Sequence, residues 1–132
     1  MQHLEPIWSK VVDEGVHSMP FNTAVAFNVV DLMDLAEAVA RVAVDPSHAY
    51  ATYELAGPEA LSQTDMARIL SAVLGREVEA RQTPLDAMAD AARGRGVSED
   101  RIEQMRIMNA HYARHGFRGN PHVLEWLLGR PA

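Results

Sequence analysis

The sequence contains no cysteine, so disulfides, thiolate metal sites and cysteine nucleophiles are excluded outright. Lysine is almost as scarce: of twelve basic residues, only Lys10 is one. Schiff-base chemistry would rest on that single residue, which sits in an amphipathic stretch and reads as a solvated helix position. Basic charge as a whole is short, with twelve Lys and Arg against eighteen Asp and Glu for a net charge of −6. Nucleic acids and anionic membranes reward a basic face, and none is written here. No apolar run has the length of a signal-peptide core or a membrane span, so a soluble, cytoplasmic protein is the expectation.

Nucleotide-binding signatures are missing too. A dinucleotide site needs a strand, a Gly-x-Gly-x-x-Gly turn and a helix whose N-terminus faces the pyrophosphate. The one Gly-x-Gly here, Gly94-Arg95-Gly96, follows a helical pattern and lacks both the third glycine and the strand. It reads as a helix break. A Gly-rich phosphate loop ending in lysine is absent as well, since Lys10 follows Ser9. The Tyr-x-x-x-Lys pair, in which a lysine lowers a tyrosine pKa, cannot be built. Tyr50, Tyr53 and Tyr112 are followed four places on by Glu54, Gly57 and Gly116.

What is present is ordinary globular material, 48% hydrophobic and 23% charged over 132 residues, which predicts one domain spanning 1–132. Ile7, Trp8, Val11 and Val12 recur at helical spacing, with Pro6 placed for a first turn. Gly15 to Phe21 reads as a loop whose tip, Met19-Pro20-Phe21, is apolar and exposed. Ala24–Val30 has strand composition, and Asp31 caps a helix with a buried stripe of Leu32, Leu35, Ala36, Val39 and Val42. Thr52–Ala56 is expected to be a second strand with Tyr53 and Leu55 on one face, broken by Gly57-Pro58. Ser62 and Asp65 have capping-box spacing ahead of Met66, Ile69, Leu70, Val73 and Leu74, and Gly75 stops that helix. Glu77–Thr83 predicts a third strand, Pro84 opens a further helix, and Ser98 caps a long one that ends at His115-Gly116. Asn120-Pro121 starts the last. About three strands in a small mixed sheet with five or six helices make an α/β, or α+β, fold.

His111 and His115 stand four apart on the long helix, a spacing that can set two imidazoles on one metal. No third ligand of the usual kind is supplied and His115 suits the helix C-terminus, so no metal ligand is assigned. His17, His48 and His122 fall in turns or caps and read as surface residues. Asp31, Asp34, Asp65, Asp86 and Glu99 all occupy first helical turns, where capping explains them better than acid–base work. Met105, Met108 and Tyr112 read as helix core.

The order of segments resembles NmrA-like proteins, which are atypical short-chain dehydrogenase/reductases. Phe27-Asn28-Val29-Val30-Asp31-Leu32-Met33-Asp34-Leu35-Ala36-Glu37-Ala38 is similar to their V-D-x-x-D-(L/V)-A-x-A segment. Thr52-Tyr53-Glu54-Leu55-Ala56-Gly57-Pro58-Glu59 is similar to their T-Y-E-L-x-G-P-E segment. Leu61-Ser62-Gln63-Thr64-Asp65-Met66-Ala67 with Leu74-Gly75-Arg76 resembles their L-S-x-x-(D/E)-(M/I)-A … L-G-R helix. His115-Gly116-Phe117-Arg118-Gly119-Asn120-Pro121 to Leu127-Leu128-Gly129-Arg130 resembles the close of bacterial members. The resemblance implies the C-terminal, substrate-side part of an NAD(P)-binding Rossmann-type protein. Its partner half, of about 130 to 150 residues with the Gly-rich turn, is expected before Met1. Met1-Gln2-His3 resembles the tail of the family's aromatic-Met-(Glu/Gln)-Asn segment beside the nicotinamide, with the aromatic gone and His3 in place of Asn.

Three readings follow. On the first, the chain is an orphan or truncated substrate-binding half of an NAD(P)H-dependent oxidoreductase or redox sensor, inactive alone or completed by a separate dinucleotide-binding chain. His3, Trp8, Met19, Pro20 and Phe21 are then the residues expected to line a small apolar or quinone-like substrate. No residue of this chain alone is assigned to catalysis or to NAD(P)H. The second reading is an interaction module, a homodimer joined through the strand edges of Ala24–Val30 and Thr52–Ala56 and an apolar patch of Trp8, Phe21 and Phe27. On the third, a small self-sufficient enzyme would work through His and carboxylate pairs such as Asp31 with His3 or His17.

Overall fold

The structure, a computed structural model, describes residue 4 and residues 7–132. The elements run β1 (Val16–Met19), β2 (Ala26–Asn28), α1 (Leu32–Val44), β3 (Ala60–Ser62), α2 (Gln63–Leu74), β4 (Glu79–Gln82), α3 (Leu85–Gly94), α4 (Glu99–His115) and α5 (Pro121–Leu128). The fold is mixed α/β with short strands, as expected. Two compact units divide the described chain. One takes in residues 7–26 and Leu61–Gly116, the other Phe27–Ala60 and Phe117–Ala132. Strands β2 and β3 both carry crossing points, between Ala26 and Phe27 and between Ala60 and Leu61.

In the first unit, β1 and β4 pair in parallel, with Val16 opposite Glu79 and Met19 opposite Gln82. The ladder extends at both ends, because Glu79 N donates to Gly15 O (2.8 Å) and Thr83 N to Met19 O (2.9 Å). Helix α2 packs on both strands. Its start is the reciprocal cap that Ser62 and Asp65 predict: Asp65 N donates to Ser62 Oγ and Ser62 N to Asp65 Oδ2, both at 3.1 Å. Such a cap contributes about 1 kcal/mol by satisfying donors that no helical carbonyl can reach. Ala67 and Leu70 form the buried face of α2, while Ile69 and Val73 are exposed. Helices α3 and α4 enclose Ala89, Ala92 and Ile102, with Val97 against them. The Arg93 guanidinium closes this hairpin on both carboxylate oxygens of Glu99, at 2.6 and 2.9 Å. Ser98 holds the N-cap position of α4 but makes no side-chain cap.

In the second unit, α1 packs on α5. Ala38, Leu124, Leu127 and Leu128 are its buried centre, with Val30, Val42, Tyr53, Leu55 and Val123 against them. Asp31 caps α1 through Met33 N (2.8 Å), and Asn120 caps α5 through His122 N (3.0 Å). Arg130 reaches Asp34 (2.7 Å) and Glu37 (2.6 Å) at the surface.

Several expectations need correction, the first on α2, whose Ile69 and Val73 were expected on the apolar face and lie exposed. Thr52–Ala56 is not a strand; it runs without regular pairing. Its face assignment holds even so, since Tyr53 and Leu55 both pack on the α1–α5 core. Gly15–Phe21 is no exposed loop. It contains β1, because four residues of mixed polarity suffice when one parallel neighbour supplies the ladder. The apolar stripe on α1 is rotated from the expected one: Ala38 is buried, whereas Leu32, Ala36 and Val39 are exposed. The small Ala38 side chain allows the closest approach to α5, which the periodicity of large residues does not reveal. Met108 is not core; it lies exposed on α4.

Candidate functional site

The expected substrate-lining residues divide as follows. His3 lies outside the described residues. Trp8 stands half exposed in the helical turns before β1, Met19 ends β1, Pro20 is half-buried and Phe21 is buried. All four belong to the β1/β4 unit. Met19-Pro20-Phe21 leaves the carboxyl end of a parallel strand, which is where open α/β sheets place their ligands.

The sequence reading missed the residue that holds this segment. Gln63, the first residue of α2, is 3% exposed and spends both ends of its amide on backbone across Pro20. Its Oε1 accepts from Met19 N at 2.9 Å, and its Nε2 donates to Phe21 O at 2.5 Å. Proline has no N–H of its own, so a turn through Pro20 leaves its flanking groups in need of partners. Thr64 extends the clamp: its backbone N and its Oγ1 both donate to Thr23 O at 3.2 Å. On the neighbouring face, Ser18 Oγ and Thr83 Oγ1 lie 2.5 Å apart, joining the carboxyl ends of the two strands. In sequence, Gln63 is one unremarked letter of a capping box, and nothing local distinguishes it.

His17 departs from the expectation of a surface residue. It sits in β1 opposite Ala80, is 4% exposed, and its Nδ1 has no hydrogen-bond partner among the described residues. Burial disfavours the imidazolium and lowers the His17 pKa below its ordinary value. The unfolded chain therefore binds the proton more readily than the folded one, and folding weakens as the medium is acidified. Stability is expected to be flat above about pH 7 and to fall as pH drops below about 6.5, the unfolded histidine value. Urea midpoints at pH 7.5 and 5.5 check this. The difference should shrink in His17→Leu, and an equal loss in both proteins would assign it elsewhere.

The other polar groupings carry structure. Asp31 is occupied as the cap of α1, and Asp65 as that of α2, whose carboxyl is held below its usual pKa by the Ser62 hydroxyl and N–H. His48 is not a free surface histidine. Its Nδ1 lies 2.6 Å from the Tyr53 hydroxyl, and its ring meets Tyr53 and Trp126 edge-on at 5.6 and 6.0 Å. His122 is exposed and pairs with Glu125 at 3.0 Å. No group of three or more His, Asp or Glu is placed to hold a metal among the described residues. No strand–Gly-turn–helix is found there either, and Gly94 and Gly96 terminate α3 as expected. No helix among these residues is long and apolar enough to cross a membrane.

Comparison with known proteins supports the resemblance read from the segments. No protein-family profile matches the sequence. The NAD(P)H azoreductase of Xenophilus azovorans is 27% identical over 132 residues, all of this chain and 46% of the azoreductase. A triphenylmethane reductase from Citrobacter sp. superposes with a TM-score of 0.75 at 21% identity, over 97% of this chain and 44% of the reductase. That reductase has also been solved with NADP(H). An NADPH-dependent quinone oxidoreductase from Escherichia coli superposes with a TM-score of 0.79 at 21% identity, over 99% of this chain and 47% of its own. The chain thus has a fold shared with part of each of these reductases. It spans less than half the length of each relative.

Proposed function

We propose that these residues form the substrate-side half of an NAD(P)H-dependent reductase acting in the cytoplasm on a small apolar, quinone-like acceptor. The dinucleotide would be held by a half lying outside these residues, in the same polypeptide or a separate one. The observation that carries the reading is the azoreductase alignment, which takes in the whole of this chain and under half of that enzyme. The geometry is in keeping with it. An apolar segment, Met19-Pro20-Phe21, is fixed at the carboxyl end of a parallel strand pair by a buried amide, and the described residues hold no phosphate-binding turn.

The work of these residues is then binding and orientation. Gln63 fixes the segment's backbone, and Trp8, Met19 and Pro20 offer apolar surface, which favours a flat, weakly hydrated acceptor. The reduction itself needs NAD(P)H, which supplies the hydride when bound to the other half. Calorimetric titration of the 132-residue chain should show no saturable binding of NADPH or NADH, but binding of a naphthoquinone. Stoichiometric micromolar binding of either dinucleotide would overturn the division of labour.

Self-association is the second reading, and one feature favours it. Helix α1 exposes Met33, Val39 and Val44, at 75%, 55% and 82%. Beside Val39, a groove of about 270 Å³ is lined by Ala38, Val42, Tyr53, Leu55 and Leu127. Apolar surface of this kind on a small protein tends to be covered, and a symmetric pair is the simplest closed arrangement. Light scattering at tens of micromolar should then report twice the 14.6 kDa chain mass. A clean monomer would leave only the reductase reading.

A further inference from the structure

Helix α4 is long and mostly wet: over seventeen residues it buries only Ile102 and Asn109. Met108, His111 and His115 fall at i, i+3 and i+7 along it, which aligns them in one stripe, and all three are exposed. The two imidazole rings lie 4.7 Å apart at their centroids, inclined by 41°. His111 also touches the Tyr112 ring, at 6.2 Å. Neither imidazole has another side-chain partner among the described residues.

We propose that the Met108–His111–His115 face of α4 binds one copper(I) ion, through an imidazole nitrogen of each histidine and the thioether sulfur. Two imidazoles one helical turn apart can converge on a single transition metal. For zinc this is too little, since its sites use three or four protein ligands and no further His, Asp or Glu joins the pair among the described residues. The third group on the stripe is a thioether, which the harder divalent ions bind poorly and copper(I) binds well. Three soft or borderline ligands satisfy copper(I), and this chain contains no cysteine thiolate to draw the ion elsewhere. The site lies wholly on one helix and is independent of the reductase reading.

The test uses the 132-residue chain with copper(I) held reduced by ascorbate, in competition with the chromophoric chelator bicinchoninate. The wild-type chain should withdraw one equivalent of copper. Met108→Leu should weaken binding at least about tenfold, the loss expected of a soft ligand, and the pair His111→Gln with His115→Gln should abolish it. X-ray absorption should find a sulfur neighbour that Met108→Leu removes. The positions are exposed, and unchanged thermal midpoints separate lost binding from lost folding. Wild-type affinity in Met108→Leu, stoichiometric copper in the double variant, or no uptake by the wild-type chain would each overturn the proposal.

Discussion

Replacing Gln63 with leucine is expected to lower stability by about 2 to 5 kcal/mol, because it removes two buried hydrogen bonds to backbone at once. Leucine keeps much of the volume but can neither accept from Met19 N nor donate to Phe21 O, the bonds made at 2.9 and 2.5 Å. At a position 3% exposed, water offers poor compensation. Gln63→Glu tests the geometry more finely. A carboxylate keeps the acceptor for Met19 N but turns an oxygen toward the Phe21 carbonyl. Protonation restores a donor there, so the folded state raises this carboxyl's pKa. The stability that protonation provides is then lost as pH rises through the raised value. Urea midpoints of Gln63→Glu should therefore improve on acidification relative to Gln63→Leu. Parallel pH profiles for the two variants would show that the amide does not hold the segment as described. If the reductase reading is right, both variants also lose naphthoquinone affinity before they lose their fold.

Gly57→Ala should be the more damaging change, at about 3 kcal/mol or more, since an overpacked site with no freedom to relax exceeds the usual range. A Cβ there would stand 1.6 Å from Val29 O and 2.6 Å from Val29 C, and neither is a side chain that can swing aside. The Asn28 side chain ties these segments together: its Nδ2 donates to Gly57 O at 2.8 Å, and its Oδ1 accepts from Gly119 N at 3.2 Å. Shifting one backbone therefore pulls on three segments. Thermal melts should show a large drop, and amide spectra should lose dispersion for Tyr53, Leu55 and Leu124 first. A midpoint within a degree or two of wild type would mean that the approach of Val29 to Gly57 is not as close as described.

Gly57 illustrates what was legible in the sequence and what was not. Its place before Pro58 was read as the break of a strand over Thr52–Ala56, and no strand runs there to be broken. The reason only this residue fits is the passage of another backbone against it, a relation between positions 29 and 57 that no local pattern encodes. The caps tell the same story from the other side. Asp31, Ser62 and Asn120 act within three residues of themselves, and all three were readable. Ser98 had the same local signal and makes no cap, so even local chemistry needs the right approach angle. Strand β1 was missed because its partner lies more than sixty residues on, and Val16-His17-Ser18-Met19 has no alternation to announce it. The Met19–Phe21 segment was singled out as an apolar tip in a segment expected to face the partner half, whereas Gln63 and the buried His17 could be found only once α2 and β4 were placed beside it.

The interleaving of the two units bears on how the chain is made. Each unit needs a stretch that emerges early from the ribosome and another that emerges late. Nascent β1 must wait for β4, and nascent α1, with its core residues Ala38 and Val42, must wait for α5, which follows only after α2, β4, α3 and α4. Contacts so distant along the chain are slow to close, because the loop entropy is spent before the contact repays it. During translation α1 is thus an unprotected apolar helix for most of the time the rest is being added. A chaperone that binds short apolar segments would meet its best target there, and release would come only once α5 is available to pack on α1.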